Sequence, residues 1–147
     1  MIENLNFLLG SWKGEGHAAY PTIESADYLE ELTIEPLDST TITFLQKTWR
    51  KKDNSVLHWE SSFILGKEPD TFTFINSQNN GRTEVMKGTL ESPEKFICDS
   101  VYFSNDERPV RTRREYFLED DALQYKLYLQ TQNQPFQLHL EAKLKKS

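Results

Sequence analysis

The sequence predicts an all-β protein, an antiparallel up-and-down β-barrel of about ten strands with no helical lid. Three observations carry that prediction. Segments rich in β-branched and aromatic residues recur at a spacing of roughly 8–15 residues, as in barrels and sandwiches. The six prolines, Pro21, Pro36, Pro69, Pro93, Pro109 and Pro135, fall between those segments, where a missing N–H does least harm. Near the N-terminus one segment carries three of the six glycines on a single face. That segment sets Gly10, Trp12, Gly14, Gly16, Ala18 and Tyr20 on one side and Ser11, Lys13, Glu15 and His17 on the other. A strand with glycines on its inner face gives up packing for space, to bend or to admit a bulky ligand.

The elements follow in order. Residues 3–9 suit one short helical turn that plugs the barrel floor with Leu5, Leu8 and Leu9. After the glycine strand, residues 26–35 alternate, with Tyr28, Leu32 and Ile34 on one face. Residues 40–50 place Ile42, Phe44, Gln46 and Thr48 together, and residues 56–65 place Leu57, Trp59, Phe63 and Leu65 together. Residues 70–77 hold Phe72 and Phe74; residues 83–90, 95–103 and 111–118 are the next three strands. Residues 122–131 align Leu123, Tyr125, Leu127 and Leu129, and residues 137–145 close the chain. Turn formers separate the segments, and Asn80-Gly81 is the strongest hairpin signal among them. Only Pro21-Thr22-Ile23-Glu24-Ser25 joins the first two strands, too little for a pair of capping helices, so the mouth is expected to stay open.

Length and charge narrow the function. A chain of 147 residues reads as one domain, 1–147, able to bury roughly 70% of its unfolded surface without staples. A net charge of −6 argues against nucleic acid, and the basic run from Arg108 to Arg114 reads as the polar face of a strand. The lone cysteine, Cys98, and the lack of a signal segment or a bilayer-length apolar run suggest a soluble cytoplasmic protein with no membrane partner. There is no nucleophile elbow, phosphate loop or dinucleotide fingerprint, and no ligand spacing for structural zinc. Glu30 and Glu60 depart from the other acidic residues: Glu30 shares the apolar face of Tyr28 and Leu32, and Glu60 shares a face with His58. Such a pair suits glycoside chemistry only at a fixed separation, which the sequence does not set. Of three histidines, His17 falls on the outer face with Lys13 and Glu15. Period two sets His139 with Gln137, Glu141 and Lys143, opposite Leu138, Leu140, Ala142 and Leu144. It therefore points outward, unless it faces a hydrated lumen or a bulge re-aims it.

Gly10-Ser11-Trp12-Lys13-Gly14-Glu15-Gly16 followed by Tyr20-Pro21-Thr22-Ile23 resembles the opening of the nitrobindins, small haem-binding barrels related to the lipocalins and fatty-acid-binding proteins. Ala18 stands where that family usually has a third glycine, and its methyl group narrows the pocket. His58-Trp59-Glu60-Ser61-Ser62-Phe63 is similar to the family's His-x-Glu-Ser-Gly-aromatic strand, with Ser62 in place of the glycine. Gln134-Pro135-Phe136-Gln137-Leu138-His139-Leu140 is similar to its Gln-Pro-Leu-x-x-His-Leu segment. The resemblance implies haem b as cofactor, with His139 as the proximal iron ligand. It implies that Thr22, Ile23, Leu57, His58, Gln78 and Leu129 line the pocket, with His58 as the nearby titratable donor. The implied activity is nitric oxide binding and isomerisation of peroxynitrite to nitrate at ferric haem. The partners expected are haem and small nitrogen-oxide ligands, in a monomer or weak homodimer. Two other readings stay open at this point: a non-enzymatic carrier of an apolar small molecule, in a lumen with Tyr28, Phe44, Phe63 and Tyr125, and an empty barrel kept for a protein partner.

Overall fold

A computed structural model describes residues 2–147. It is a closed antiparallel barrel of ten strands: β1 (Gly10–Tyr20), β2 (Ile23–Pro36), β3 (Thr41–Arg50), β4 (Val56–Leu65), β5 (Phe72–Gln78), β6 (Thr83–Ser92), β7 (Lys95–Ser104), β8 (Pro109–Glu119), β9 (Ala122–Thr131) and β10 (Gln134–Lys146). Each strand pairs with its sequence neighbours, and β1 closes on β10. Closure removes every sheet edge, so no row of backbone N–H groups is left unpaired. A 3-10 helix, Ile2–Leu8, precedes β1 and inserts the fully buried Leu5 and Leu8 into one end of the barrel. Trp12 Nε1 donates to the Leu8 carbonyl at 2.9 Å and ties the plug to the first strand.

The lumen is layered. Next to the plug lies an aromatic core, where Phe44 meets Phe74 edge-on at 5.1 Å and Tyr116 stacks on Tyr125 at 4.8 Å. Above it runs a belt of buried polar side chains: Glu30, Gln46, Glu60, Asn76, Glu84, Thr112 and Arg114. The far end is an open cavity among the tight turns that join β1 to β2, β3 to β4, β5 to β6, β7 to β8 and β9 to β10.

Several expectations are corrected by this arrangement. Pro36, Pro109 and Pro135 lie inside strands, near their ends, where a ladder donor is dispensable. Strand β2 begins at Ile23, so only Pro21 and Thr22 turn the chain. The inner face of β4 is Glu60, Ser62 and Ile64; Trp59 and Phe63 face outward, with Phe63 48% exposed. Trp59 packs edge-on against Trp49 with Lys47 over its ring. The glycine face does not serve as empty room. A methyl group on Gly14 would strike the Lys143 carbonyl, and one on Gly16 would strike the Tyr28 ring and the Glu141 carbonyl. These glycines let β1 lie close to β10 and let Tyr28 cross it, its hydroxyl donating to Glu141 O at 3.3 Å.

Candidate functional site

The cavity holds about 450 Å³. Its walls are apolar on β9 and β10 (Leu127, Leu129, Leu140), with Leu57 of β4, and its lip carries Thr22, Ile23, Arg50, Arg82 and Arg108. Two backbone irregularities re-aim His139 and Leu57. Between β10 and β9 the register steps from Leu138–Tyr128 to Leu140–Leu127, which leaves His139 as the extra residue of a bulge. Between β4 and β3 it steps from Thr48–His58 to Trp49–Val56, which leaves Leu57 as the extra residue. A bulge breaks the in-out alternation, so His139 and Leu140 both face the cavity, and so do Leu57 and His58.

His139 is half-buried, with Nδ1 3.3 Å from the Ala19 carbonyl oxygen and its ring edge-on to Tyr20 at 5.2 Å. A carbonyl only accepts, so the hydrogen is on Nδ1 and the lone pair on Nε2. Burial pushes the imidazole below its ordinary value and the Ala19 contact offsets this only in part, so the neutral form is favoured. A neutral imidazole whose other nitrogen donates to a carbonyl is an oriented metal ligand.

His58 is supported from below. Its Nε2 lies 2.5 Å from Glu60 Oε2, and Glu60 Oε1 accepts from Arg114 Nη1 at 2.7 Å and from Asn76 Nδ2. Asn76 also donates to Ser62 Oγ at 2.7 Å. Burial by itself would raise the Glu60 carboxyl, but Arg114 and His58 outweigh it and hold Glu60 well below the usual carboxylate range. On the other side of the belt Thr112 Oγ1 donates to Glu84 Oε1 at 2.5 Å, and Arg82 Nε lies 3.9 Å from Glu84 Oε2.

Glu30 sits apart. Among the described residues neither of its carboxyl oxygens has a hydrogen-bond partner, nor does the neighbouring Gln46 Oε1. Burial pushes Glu30 up to about 8; Gln46 offsets part of this and the Glu60 charge adds to it. A protonated Glu30 has the O–H that a cluster of acceptors requires. Three carboxyls then share the belt with two guanidinium groups, and the neutral Glu30 balances the charge.

Six of the residues singled out from the sequence meet at this cavity: Thr22, Ile23, Leu57, His58, Leu129 and His139. Gln78 lies beneath it, donating to Asn76 Oδ1 at 2.8 Å and accepting from Arg82 Nε at 3.0 Å. His17 is on the outer wall, 2.7 Å from Asp27 Oδ1. Arg114, taken with the basic run as surface, is 1% exposed and belongs to the floor. The signal that could have found it is its strand face, which it shares with Tyr116.

An open barrel that turns an unprotonated imidazole nitrogen into an apolar-walled cavity belongs to the ligand-binding β-barrels, and its donor set suits a metal-bearing ligand. The chain belongs to the family of the THAP4-like, heme-binding beta-barrel domain, whose model matches residues 1–146. A relative from Arabidopsis thaliana named peroxynitrite isomerase is 34% identical, over 99% of this chain and 88% of its own length. Another so named, from Nocardia farcinica, is 30% identical over 95% of this chain and 86% of its own. The crystal structure of Rv2717c from M. tuberculosis superimposes with a TM-score of 0.87 at 28% identity, covering 99% of this chain and 96% of that one. Haem fits the residues present: a neutral, oriented His139 offers nitrogen to iron, and the leucine wall suits a porphyrin face. Among the described residues no group of three or more His, Cys, Asp and Glu could hold a bare metal ion.

Proposed function

We propose that this protein holds haem b through His139 Nε2 and handles small nitrogen-oxide ligands there, isomerising peroxynitrite to nitrate. The observation that carries this reading is the β10 bulge, which turns His139 into the lumen with Nδ1 committed to the Ala19 carbonyl. When bound, haem supplies a ferric centre with one coordination position left for a small ligand. The chain's part is to fix the imidazole, to keep bulk water from the apolar wall with Leu57, Leu127, Leu129 and Leu140, and to face the ligand with His58. The names of the relatives support the reaction. The belt of charged and amide groups under the cavity speaks against a carrier of purely apolar molecules, since its floor would meet such a ligand with polar atoms.

Absorption titration with haem tests the reading. The wild type is expected to give a sharp Soret band, and His139→Ala to lose it or regain it only with added imidazole. A wild-type band and affinity in His139→Ala would end the assignment. A monomer or weak homodimer in the cytoplasm completes the proposal. Phe63, Ile75, Val85 and Tyr102 lie in register across the outer wall of β4 to β7 and support weak pairing, which sedimentation would measure.

A further inference from the structure

A buried carboxylate decides which nitrogen His58 leaves available. Glu60 is 2% exposed, and it is held ionised by Arg114, 1% exposed. An ionised carboxylate has no hydrogen to give. The hydrogen between His58 and Glu60 therefore belongs to His58 Nε2, which leaves Nδ1 as the ring nitrogen not committed to the carboxylate. Among the described residues nothing hydrogen-bonds that nitrogen, and the His58 side chain lines the cavity. His139 carries the opposite tautomer, with its lone pair on Nε2. The cavity thus meets its ligand with two basic nitrogens set by two different partners, a carbonyl for one and a carboxylate for the other.

We propose that His58 Nδ1 is the proton acceptor of this cavity: it takes the proton of a ligand that enters as a small neutral acid H–X and leaves that ligand as the anion X⁻, with Glu60 and Arg114 as positioning residues. This deepens the haem reading and rests on it for where the anion then binds. The H–X bond breaks with its electron pair remaining on X, and the N–H bond forms at Nδ1. No electron is transferred, and the new imidazolium lies against the Glu60 carboxylate. The charged groups around the site are suited to keep an anion. Arg50 from β3, which makes no side-chain salt bridge among the described residues, Arg82 from the turn before β6 and Arg114 from β8 line it, with Arg108 and Glu24 at the lip and His139 across from His58. Arg82 and Arg108 are both tied to Asp106, and Glu60 and Glu84 are each engaged by an arginine. The ligand class is the small weak acid, peroxynitrous acid or hydrogen cyanide, as opposed to carbon monoxide, which has no proton to give.

Two measurements test this. In the apoprotein with ¹⁵N-labelled histidine, His58 Nε2 is expected to resonate as a protonated, pyrrole-type nitrogen and Nδ1 as an unprotonated, pyridine-type one; the reverse tautomer overturns the proposal. In the haem-loaded protein, His58→Leu leaves the Glu60–Arg114 pair in place, and His58→Gln also keeps a donor toward Glu60. Both are expected to slow hydrogen cyanide association by about a hundredfold, the low end of what a positioned base contributes. Carbon monoxide association should be unchanged. Equal cyanide rates, or equal slowing of cyanide and carbon monoxide, would overturn it, the latter because it marks a steric role. If haem does not load at all, the haem reading falls and the tautomer in the apoprotein still decides this one.

Discussion

The two ends of this barrel are built from the same ten strands and do opposite things. At the plugged end the inward residues are Leu5, Leu8, Phe72, Phe96, Leu123 and Leu144, each no more than 1% exposed, and the aromatic rings interlock. At the open end the inward positions of the same strands are filled by Glu30, Glu60, Glu84, Arg114 and His58, with Arg82 from the turn before β6, around a cavity. The register breaks at Ala18/Tyr20, Thr48/Trp49, Leu138/Leu140 and Pro109/Arg111 fall at that open end, against one, Leu90/Ser92, at the plugged end. One end contributes stability through regular alternation; the other gives up alternation to aim side chains. Functional residues gather where local regularity is broken.

Substitutions can break or sharpen this contrast. The largest effect is expected where the belt is unbalanced. Arg114→Met removes the cation from a buried, ionised Glu60 and should cost about 3–5 kcal/mol, as the loss of one partner of a buried pair does. Removing both charges, Glu60→Met with Arg114→Met, should cost much less. Urea unfolding of the single and double variants checks this, and equal losses would show that the belt is not held by charge balance.

Glu30 should produce the next largest effect, with the opposite sign. Its carboxyl, ordinarily at 4.5, is pushed up to about 8 by burial in the folded chain. Between those values the unfolded chain releases the proton and the folded chain keeps it. Stability from this group is therefore full below pH 4.5, falls as pH rises by about 1.4 kcal/mol per unit, and levels off above pH 8. Glu30→Gln removes that dependence and should be roughly 3 kcal/mol more stable than the wild type at pH 7, converging with it toward pH 4.5. Urea midpoints of both proteins from pH 5 to 8 give the test; parallel curves would place Glu30 outside the belt's titration.

How much of this was legible in the sequence follows the same division. The plugged end was readable because period two holds there: Ile42, Phe44, Phe72, Phe74, Leu123 and Tyr125 all lie inside as their spacing requires. The open end was not, because parity changes at each bulge. Period two alone put His139 outside with Glu141 and Lys143; one extra residue opposite Leu127 and Tyr128 put it inside. On β4 the aromatic weight of Trp59 and Phe63 pointed to the wrong face, since the true inner face is mostly polar. No composition signal marks a bulge, so the placement of His139 rested on resemblance rather than on periodicity. Gln78 shows the reverse limit: its position matched a pocket residue, and its side chain is engaged by Arg82, which lines the cavity, and by Asn76. Arg114 was hidden by its neighbours, three arginines in four positions reading as one basic run.

Losing His139 should separate the two ends most cleanly. His139→Ala removes a half-buried ring whose one polar contact is long, and whose neighbour Tyr20 keeps its own hydroxyl bond to Leu129 O at 3.3 Å. Stability is expected to fall by no more than about 1 kcal/mol, within the ordinary range for a single substitution, while haem binding is lost. A loss of several kcal/mol in the same urea experiment would mean that the bulge is held by its histidine rather than imposed by the strand pairing.

The smallest effect is expected outside the barrel. His17 and Asp27 approach to 2.7 Å on the outer wall, with side chains 54% and 72% exposed. Water competes for both groups at that exposure, and such pairs are worth under about 1 kcal/mol. Their strand positions are already fixed by the β1–β2 ladder, in which His17 faces Asp27 in register whatever their side chains do. His17→Ala should therefore leave both the urea midpoint and the haem titration at wild-type values. It is the control for His58 and His139, because it removes an imidazole from the same protein without touching the lumen. If His17→Ala weakened haem binding, the cavity between β4 and β10 would not be where haem resides.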